Sequence, residues 1–366
     1  MLEYLNYLAP FIIAFLLSVI LTPLIHRWAI KKGIVDIPNE PRKIHQKSVP
    51  LLGGWAVFGA FVLTLLFYTF FTERVLGGFM LLKFVAGIVL AGLVLMLGGY
   101  LDDKYKLKPS RQIIFPIIAV LIIIASGIGV EVITNPLGGF IHLDKINIKF
   151  FSYNNLPYQI TLGADLFALI WLLGLMYTTK FLDGLDGLVS GVTTIGALII
   201  FFLCLHKEVA QPETALLAMI LAGAFAGFLL FNWHPAKIFL GEGGGLFAGL
   251  MLGVLAIIAG GKIATALLIM GVPILDVIWV IARRVFFEHK SPYAADKKHL
   301  HFRLLDVGLS HRGAVLTLYF ITAAFGVTSL FLQTRQKLWA LMILLFLMVG
   351  LAMWLVWRYK RKSARD

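Results

Sequence analysis

The 366-residue sequence is 60% hydrophobic and 14% charged, with a mean hydropathy of +0.91. Soluble domains are about 45–50% apolar and about 25% charged, so this composition excludes an ordinary soluble domain and indicates lipid as the solvent. The net charge of +13 does not indicate nucleic-acid binding, because membrane proteins concentrate Lys and Arg in loops that face an anionic leaflet.

Eleven segments are long and apolar enough to cross a bilayer, which takes about 17–25 mostly apolar residues. Neither a tandem repeat nor a low-complexity linker divides them. The sequence therefore predicts an all-α polytopic membrane protein with residues 1–366 in a single domain. The segments lie at about 6–26, 51–71, 83–101, 112–132, 164–181, 187–206, 214–231, 244–260, 263–282, 313–332 and 338–357.

Lys and Arg are distributed unevenly between the loops. If the N-terminus is outside, 24 of the 32 lie on the inner side, so the positive-inside rule predicts an outer N-terminus and a cytoplasmic C-terminus. The outer loop at about 133–163 has Gly and Pro turns around β-rich runs, which predicts a small outward-facing β-hairpin. The candidate functional loops on the inner side are about 27–50, 102–111, 180–187, 232–245 and 283–312.

Two adjacent carboxylates, Asp102 and Asp103, end the third segment on the inner side. The C-terminal end of a helix and the neighbouring like charge both disfavour them. They are either a solvated pair neutralised by nearby lysines or part of a functional site.

A second acidic motif, Asp183-Gly-Leu-Asp186-Gly, lies where the chain turns back into the membrane. The i, i+3 spacing puts both carboxylates on one face of the helix that follows. Capping of that helix would explain one acid. Two acids and two glycines in five residues favour a turn that lets backbone approach a ligand closely.

Glycines surround one acid in the sequence Phe239-Leu-Gly241-Glu242-Gly-Gly244-Gly, which opens the eighth segment. Such a helix start exposes backbone N–H groups and the positive end of the helix dipole, which favours phosphate binding. Glu242 could complete a metal site with the aspartates, and Asn232 just upstream offers an oxygen ligand or a phosphate donor. Glycine-rich starts are also common in membrane helices, and an Asn at a helix end is ordinary.

Two basic segments lie on the same side. His299, His301 and Arg303 alternate in the loop at 283–312, where the basic surroundings favour phosphate over a metal ion. Arg42, Lys43 and His45 form a second candidate anion-binding arm. Either segment could instead serve only as a positive-inside signal.

Asp276 lies within the ninth segment, nearer its inner end. An acid inside the membrane is costly, which makes it a functional candidate. It could equally hold two helices together, and the sequence leaves both interpretations open.

Carboxylates and cations on one face predict a divalent ion shared with a phosphorylated substrate. Mg²⁺ fits because it is hard and is usually bound by carboxylates together with substrate phosphates, and Mn²⁺ could replace it. The chain has one cysteine, Cys204, which argues against zinc or an iron–sulfur cluster.

Four motifs, DDxxxL, LDGLDGL, FNxxPAxIFLGExG and HLHxRLLDxGLSHR, occur in this order and resemble the polyprenyl-phosphate N-acetylhexosamine-1-phosphate transferases of glycosyltransferase family 4. The resemblance runs from about Asp36 to Arg312. It is closer to the UDP-GlcNAc:undecaprenyl-phosphate GlcNAc-1-phosphate transferases than to the muramyl-pentapeptide translocases, chiefly because of the HLHxRLL loop and the PILD sequence around Asp276.

The resemblance implies transfer of a sugar 1-phosphate, with GlcNAc favoured, from a UDP-sugar to undecaprenyl or another polyprenyl phosphate. The reaction would need Mg²⁺ and release UMP, either directly or through an aspartyl-phosphate. It would take place at the cytoplasmic face of a bacterial inner membrane, as the first membrane step of a cell-envelope polysaccharide such as lipopolysaccharide or teichoic acid. The expected partners are the UDP-sugar, the lipid phosphate and the membrane, with a homodimer as a further candidate and nucleic acid excluded.

The resemblance also implies roles for individual residues. Asp102 and Asp103 would lie beside the lipid phosphate, Asp183 next to the metal, and Asp186 at the metal or the uridine. Asn232 would neighbour the metal, and Phe239 could stack on the uracil. His299, His301 and Arg303 would hold the pyrophosphate or the sugar. Together with the patterns above, this gives a catalytic set of Asp102, Asp103, Asp183, Asp186, His299 and His301, metal ligands Asp183, Asp186 and Glu242, and a substrate-binding set of Arg42, Lys43, His45, Lys180, Asn232, Phe239, Gly241, Gly244 and Arg303.

Four positions depart from the family pattern: Glu242 replaces an Asp, Lys180 an Asn, Phe302 a His and Gly245 a Ser. Lys180 could supply a permanent counter-charge or compete with the metal. These departures make a non-catalytic paralogue that binds UDP-sugar or prenyl phosphate the main alternative. An ion-coupled transporter is the second alternative, because Asp276 lies inside the membrane.

Overall fold

Helices make up most of the computed structural model, which describes residues 2–38, 45, 47–135, 138–153, 156–289 and 299–363. Lipid offers no hydrogen-bond partner to a backbone, so each spanning segment has to satisfy its own N–H and C=O groups. The helices in the described residues are α1 (Leu2–Lys31), α2 (Gly53–Phe71), α3 (Leu82–Tyr105), α4 (Pro109–Gln112), α5 (Ile114–Ala125), α6 (Leu162–Leu182), α7 (Leu188–Leu205), α8 (Pro212–Asn232), α9 (Gly241–Ile258), α10 (Ile263–Ile269), α11 (Gly271–Ala282), α12 (Leu300–Asp306), α13 (His311–Phe331) and α14 (Thr334–Ser363).

The predicted all-α polytopic class is confirmed. Nine helices within the described ranges are long and apolar enough to cross a membrane, namely α1, α2, α3, α6, α7, α8, α9, α13 and α14. The pair α10 and α11 passes the same test and makes a tenth candidate. The segment predicted at about 112–132 corresponds to the shorter apolar helix Pro109–Ala125, which comprises α4 and α5.

The segment predicted at about 263–282 is broken rather than straight. Its two parts, Ile263–Ile269 and Gly271–Phe287, are bent by 76°. Gly271 and Pro273 lie just after the break, and a proline lacks the N–H that would continue the helical hydrogen bonds across it. Average hydropathy does not detect such a bend, because both halves are apolar.

The loop at about 133–163 contains two antiparallel hairpins where one was predicted. In the first, Val132 is opposite His142, and in the second, Asn147 is opposite Thr161. A third short pair joins the chain before and after residues 37–48. The strands are β1 (Val35–Asp36) with β2 (Val49–Pro50), β3 (Val132–Thr134) with β4 (Phe140–His142), and β5 (Asn147–Tyr153) with β6 (Leu156–Thr161).

Helix α9 is the most deeply buried of the candidate spans and packs against α2, α3 and α6. Small residues permit these contacts, as is usual between membrane helices. At the crossing of α3 and α9, a Cβ atom on Gly99 would collide with the backbone of Gly243. On the α6 side, the Thr179 hydroxyl donates a 2.7 Å hydrogen bond to the Gly245 carbonyl. The start of α9 is therefore held against the ends of its neighbours.

The α3–α9 crossing generates a stability prediction. We expect Gly99→Ala to lower the melting temperature and to cost about 1–3 kcal/mol, because the added methyl group meets rigid backbone rather than a side chain that can move. The matched control is Gly174→Ala in α6, where a Cβ has open space. Thermal unfolding of the two purified variants checks this. Equal melting temperatures would contradict the close crossing.

Candidate active site

Backbone hydrogen bonds hold the loop before α9 against the start of α2. The Gly53 and Gly54 N–H groups donate to the carbonyls of Phe239 and Leu240, at 2.9 and 2.7 Å, and the Phe239 N–H donates to the Pro50 carbonyl at 2.9 Å. The C-terminal ends of α3 and α6 reach the same place. Three of the predicted motifs, at the ends of α3 and α6 and before α9, thus meet the start of α2 at one end of the bundle.

An acidic cluster, consisting of Asp102, Asp103, Asp183 and Glu242, forms where these helix ends meet. The Glu242 N–H donates to the Asp103 carboxylate at 3.3 Å. Asp103 is also close enough to the carboxylates of Asp102, Asp183 and Glu242 for their charges to act on it. The convergence expected from the sequence is therefore present in the structure.

The adjacent residues Asp102 and Asp103 have different hydrogen-bond partners. One oxygen of Asp102 accepts hydrogen bonds from the Leu107 N–H at 2.8 Å and from the Gln112 side chain at 2.9 Å. These bonds tie Asp102 to the turn that follows α3. Asp103 points instead toward the start of α9. Of the pair, Asp103 is the better placed to meet a ligand.

Lys180 lies inside the acidic cluster. Its Nζ atom is 2.9 Å from Glu242 Oε2, which forms an ion pair, and it donates to Gln112 Oε1 at 3.1 Å. Gln112 therefore links Lys180 to Asp102. Gln112 was not predicted from the sequence, because nothing in its immediate sequence marks it as functional.

Asp183 carries negative charge that its surroundings do not favour. Burial, together with the nearby charges of Glu242 and Asp186, raises the pKa of its carboxyl to about 7. A buried carboxylate beside other carboxylates is a suitable ligand for a divalent cation. The donors are all oxygens, so the residues present fit Mg²⁺. Lys180 would have to share Glu242 with such an ion.

The second aspartate of the turn has other partners. Asp186 Oδ2 lies 2.7 Å from His234 Nδ1 and accepts a hydrogen bond from the Ala236 N–H at 3.1 Å. The ring of His311 stacks on His234, with centroids 3.9 Å apart and planes 13° from parallel. Neither histidine was singled out from the sequence, although both lie within quoted motifs. The signal available was their position next to the acidic motifs on the inner side.

The group of Asp186, His234 and His311 offers possible metal-ligand atoms within 4.8 Å of one another. An imidazole binds a metal through the lone pair in the plane of its ring. Two stacked, nearly parallel rings cannot both direct such lone pairs at one ion. In this arrangement the three residues form a hydrogen-bonded stack rather than a coordination shell.

Asn232 is buried and makes three hydrogen bonds within the protein. Its Oδ1 accepts from the Gly187 N–H at 3.1 Å and from the Ser190 hydroxyl at 2.9 Å, and its Nδ2 donates to the Ile238 carbonyl at 3.0 Å. The amide thus joins the start of α7 to the loop before α9. Its contact with a metal or phosphate stays a prediction.

The first inner loop reaches the site through His45. Its ring contacts Phe239 edge to face at 5.2 Å, and its Nε2 lies 3.5 Å from Asp36. Arg42 and Lys43, predicted to bind an anion, lie outside the described residues. The two glycines of the α9 start that were predicted to bind substrate have different neighbours. Gly241 lies against the Asp103 carboxylate, and Gly244 packs on Gly54.

The segment from His299 to Arg303, which carries both predicted histidines, lies against the turn formed by Asp183–Asp186, called the acidic turn below. His301 is buried, and its Nε2 faces Gly184, where any side chain would collide with the ring. Burial lowers the pKa of His301 to about 4, so the ring is neutral near pH 7. Phe302 packs on it at 4.3 Å, and Arg303 follows on α12. His301 can thus exchange hydrogen bonds with a ligand but contributes no charge.

Comparison with known proteins gives a consistent result. The model of glycosyl transferase family 4 matches residues 85–260. The chain is 31% identical over 348 residues to the probable undecaprenyl-phosphate N-acetylglucosaminyl 1-phosphate transferase of Bacillus subtilis, covering 93% of this chain and 88% of that protein. It is 33% identical over 328 residues to the decaprenyl-phosphate N-acetylglucosaminephosphotransferase of Mycolicibacterium smegmatis, covering 82% and 76%. The phospho-N-acetylmuramoyl-pentapeptide-transferase of Listeria monocytogenes is 28% identical over 325 residues, covering 85% and 93%.

The ion pair between Lys180 and Glu242 generates a metal-binding prediction. We expect Lys180→Gln to bind Mn²⁺ about tenfold or more tightly, because it removes a positive charge from beside a carboxylate ligand. Asp183→Asn should bind Mn²⁺ more weakly. Electron paramagnetic resonance titration of metal-free protein measures both affinities, with exposed Lys237→Gln as the control. Unchanged affinity in Lys180→Gln would mean that Lys180 does not oppose the ion.

Proposed function

The chain belongs to glycosyl transferase family 4, and from this premise we propose that it transfers a sugar 1-phosphate from a UDP-sugar to a polyprenyl phosphate and releases UMP. The family resemblance drawn from the motifs is confirmed. The protein is thus a multi-pass membrane phosphoglycosyltransferase.

The finer parts of the proposal concern the substrates, the cofactor and the location. We assign UDP-GlcNAc as the donor and undecaprenyl phosphate as the acceptor, in line with the names of the Bacillus and Mycolicibacterium relatives. Mg²⁺ is the proposed cofactor. The excess of Lys and Arg on one side supports an active site at the cytoplasmic face of a bacterial inner membrane.

The observation that carries the proposal is the acidic cluster with Lys180 at its centre. Its members come from three segments of the chain, of which the first and the last are 139 residues apart, and they meet beside a glycine-rich helix start. Buried negative charge of this kind is costly unless a cation neutralises it. A metal–diphosphate substrate supplies both that cation and the anion that the helix start favours.

Transfer is proposed in one step. An oxygen of the lipid phosphate attacks the β-phosphorus of the UDP-sugar in line. As this P–O bond forms, the bond from the β-phosphorus to the bridging oxygen breaks, and UMP leaves with the electron pair. A phosphate monoester is largely dianionic near neutral pH, since its second pKa is about 6, so the nucleophile needs no enzyme base.

The chain's own residues bind and orient the two phosphates. Mg²⁺, when held by Asp183 and Glu242, would offset charge on the pyrophosphate and on the leaving UMP. Lys180 adds a fixed positive charge to the same site. His299 and neutral His301 would exchange hydrogen bonds with the pyrophosphate or the sugar at the Asp183–Asp186 turn. Asp103, which accepts the Glu242 N–H, would lie beside the acceptor phosphate.

Activity is tested with purified protein, Mg²⁺, radiolabelled UDP-GlcNAc and undecaprenyl phosphate. We expect UMP release and a labelled lipid product whose sugar is identified by mass spectrometry, and we expect chelation of Mg²⁺ to stop both. Removing an outer partner of a metal ligand lowers activity about 10–100-fold. Asp183→Asn and Glu242→Gln remove proposed ligands themselves, so their activity should fall by more than that. Glu242→Asp should retain more activity, because it keeps the charge.

The control variant is Asp144→Asn, in the connection between β4 and β5, where the side chain is 39% exposed. Near-normal turnover in both Asp183→Asn and Glu242→Gln would rule out the metal assignment. Tight UDP-GlcNAc binding without UMP release by the unaltered protein would instead identify a non-catalytic paralogue.

The proposed orientation makes a labelling prediction. In a Cys204→Ala background, a membrane-impermeant maleimide applied to intact cells should label Lys145→Cys, in the outer loop, and leave Lys237→Cys unlabelled. Both positions are exposed, so access decides the result. After permeabilisation, both should react. Labelling of Lys237→Cys in intact cells would place the acidic cluster on the wrong side of the membrane.

A further inference from the structure

Both oxygens of the buried Asp276 carboxylate on α11 make hydrogen bonds to the residues at the start of α12. Its Oδ2 lies 2.8 Å from Nδ1 of His299, and its Oδ1 accepts a 2.8 Å hydrogen bond from the Leu300 N–H. Asp276 is 9% exposed and His299 6% exposed, so water competes little for these bonds. Asp276 therefore binds two consecutive residues at the point where α12 begins.

This arrangement determines the hydrogen-bonding state of the His299 ring. A carboxylate accepts hydrogen bonds, so Nδ1 of His299 carries a proton and Nε2 is the nitrogen left for another partner. The ring plane is fixed as well, because His299 stacks on Phe181 at 6.0 Å and on His301 at 5.6 Å. Phe181 precedes the acidic turn by two residues. The histidine pair is thus oriented from α11 and from the end of α6.

We propose that Asp276 is a positioning residue, which acts through His299 and does not itself touch substrate. It holds His299 in one tautomer and anchors the first turn of α12, which carries His301 over the acidic turn. This inference rests on the proposed transferase function, in which His299 and His301 meet the pyrophosphate or the sugar.

A contact that merely held two helices together would not need this geometry. A single hydrogen bond between spanning helices would be enough for that purpose. Here both oxygens are directed at one loop, 23 and 24 residues further along the chain. A buried carboxylate is also costly, and its pairing with a histidine and a backbone N–H offsets that cost. The buried charge of Asp276 is therefore explained by its role in holding His299 and Leu300 at the start of α12.

The decisive substitution is Asp276→Asn, which keeps the shape and the acceptor for the Leu300 N–H. Its amide N–H₂ group would face His299 Nδ1 and favour the tautomer with the proton on Nε2. We expect kcat/KM to fall about 10–100-fold, as when the partner that orients a functional histidine is lost. Asp165→Asn is the matched control, since Asp165 is also a helical acid that accepts a backbone hydrogen bond, at the opposite end of α6.

A double-mutant cycle separates positioning from general stability. If Asp276 acts through His299, adding Asp276→Asn to His299→Ala should cause no further loss of kcat/KM, although each change alone reduces it. Independent, multiplicative losses would overturn the proposal. Full activity in Asp276→Asn would also overturn it.

Hydrogen exchange tests the anchoring without relying on turnover. Asp276→Ala should accelerate amide exchange in the peptide that contains α12, while Asp276→Asn and Asp165→Asn should leave it near the original rate. Unchanged exchange in Asp276→Ala would refute the anchoring role. Absence of turnover in the unaltered protein would refute the proposed function instead, so the two failures are distinguishable.

Discussion

The close crossing of α3 and α9 is the constraint on which the site depends. Because Gly99 and Gly243 let the two backbones touch, the N–H of Glu242 reaches the carboxylate of Asp103. The end of one helix and the start of another thereby bring acids from distant segments into a small, poorly solvated volume. Their mutual repulsion is the direct consequence of helix packing. A bound cation would relieve this repulsion, as the proposed metal–diphosphate substrate supplies one.

Lys180 shows how this chain manages that repulsion. It reaches Glu242 directly and Asp102 through Gln112, so a single cation is connected to two sides of the acidic cluster. Lys180 is part of the chain, so its positive charge is present at Glu242 whether or not a metal ion is bound. The protein therefore has a partial internal counter-charge, which stabilises the folded site but competes with a second cation for the same carboxylate.

Sequence reasoning predicted the class of fold and the motifs that meet, because hydropathy and local spacing carry that information. It could not separate Asp102 from Asp103, since their different partners are set by the turn after α3. The stack of His234 and His311 was equally hidden, because it joins residues 77 positions apart. The bend between α10 and α11 was missed because it leaves average hydropathy unchanged. What escaped prediction depends on contacts across the bundle.

Few residue types can replace Asn232 without breaking the hydrogen bonds that it makes. Its amide accepts two hydrogen bonds and donates a third, so the position needs an acceptor and a donor on one short side chain. Aspartate has the same shape but cannot donate to the Ile238 carbonyl, and leucine can do neither. A longer glutamine would push the two loops apart. Natural variants at this position should consequently be rare, even if the asparagine never touches a substrate.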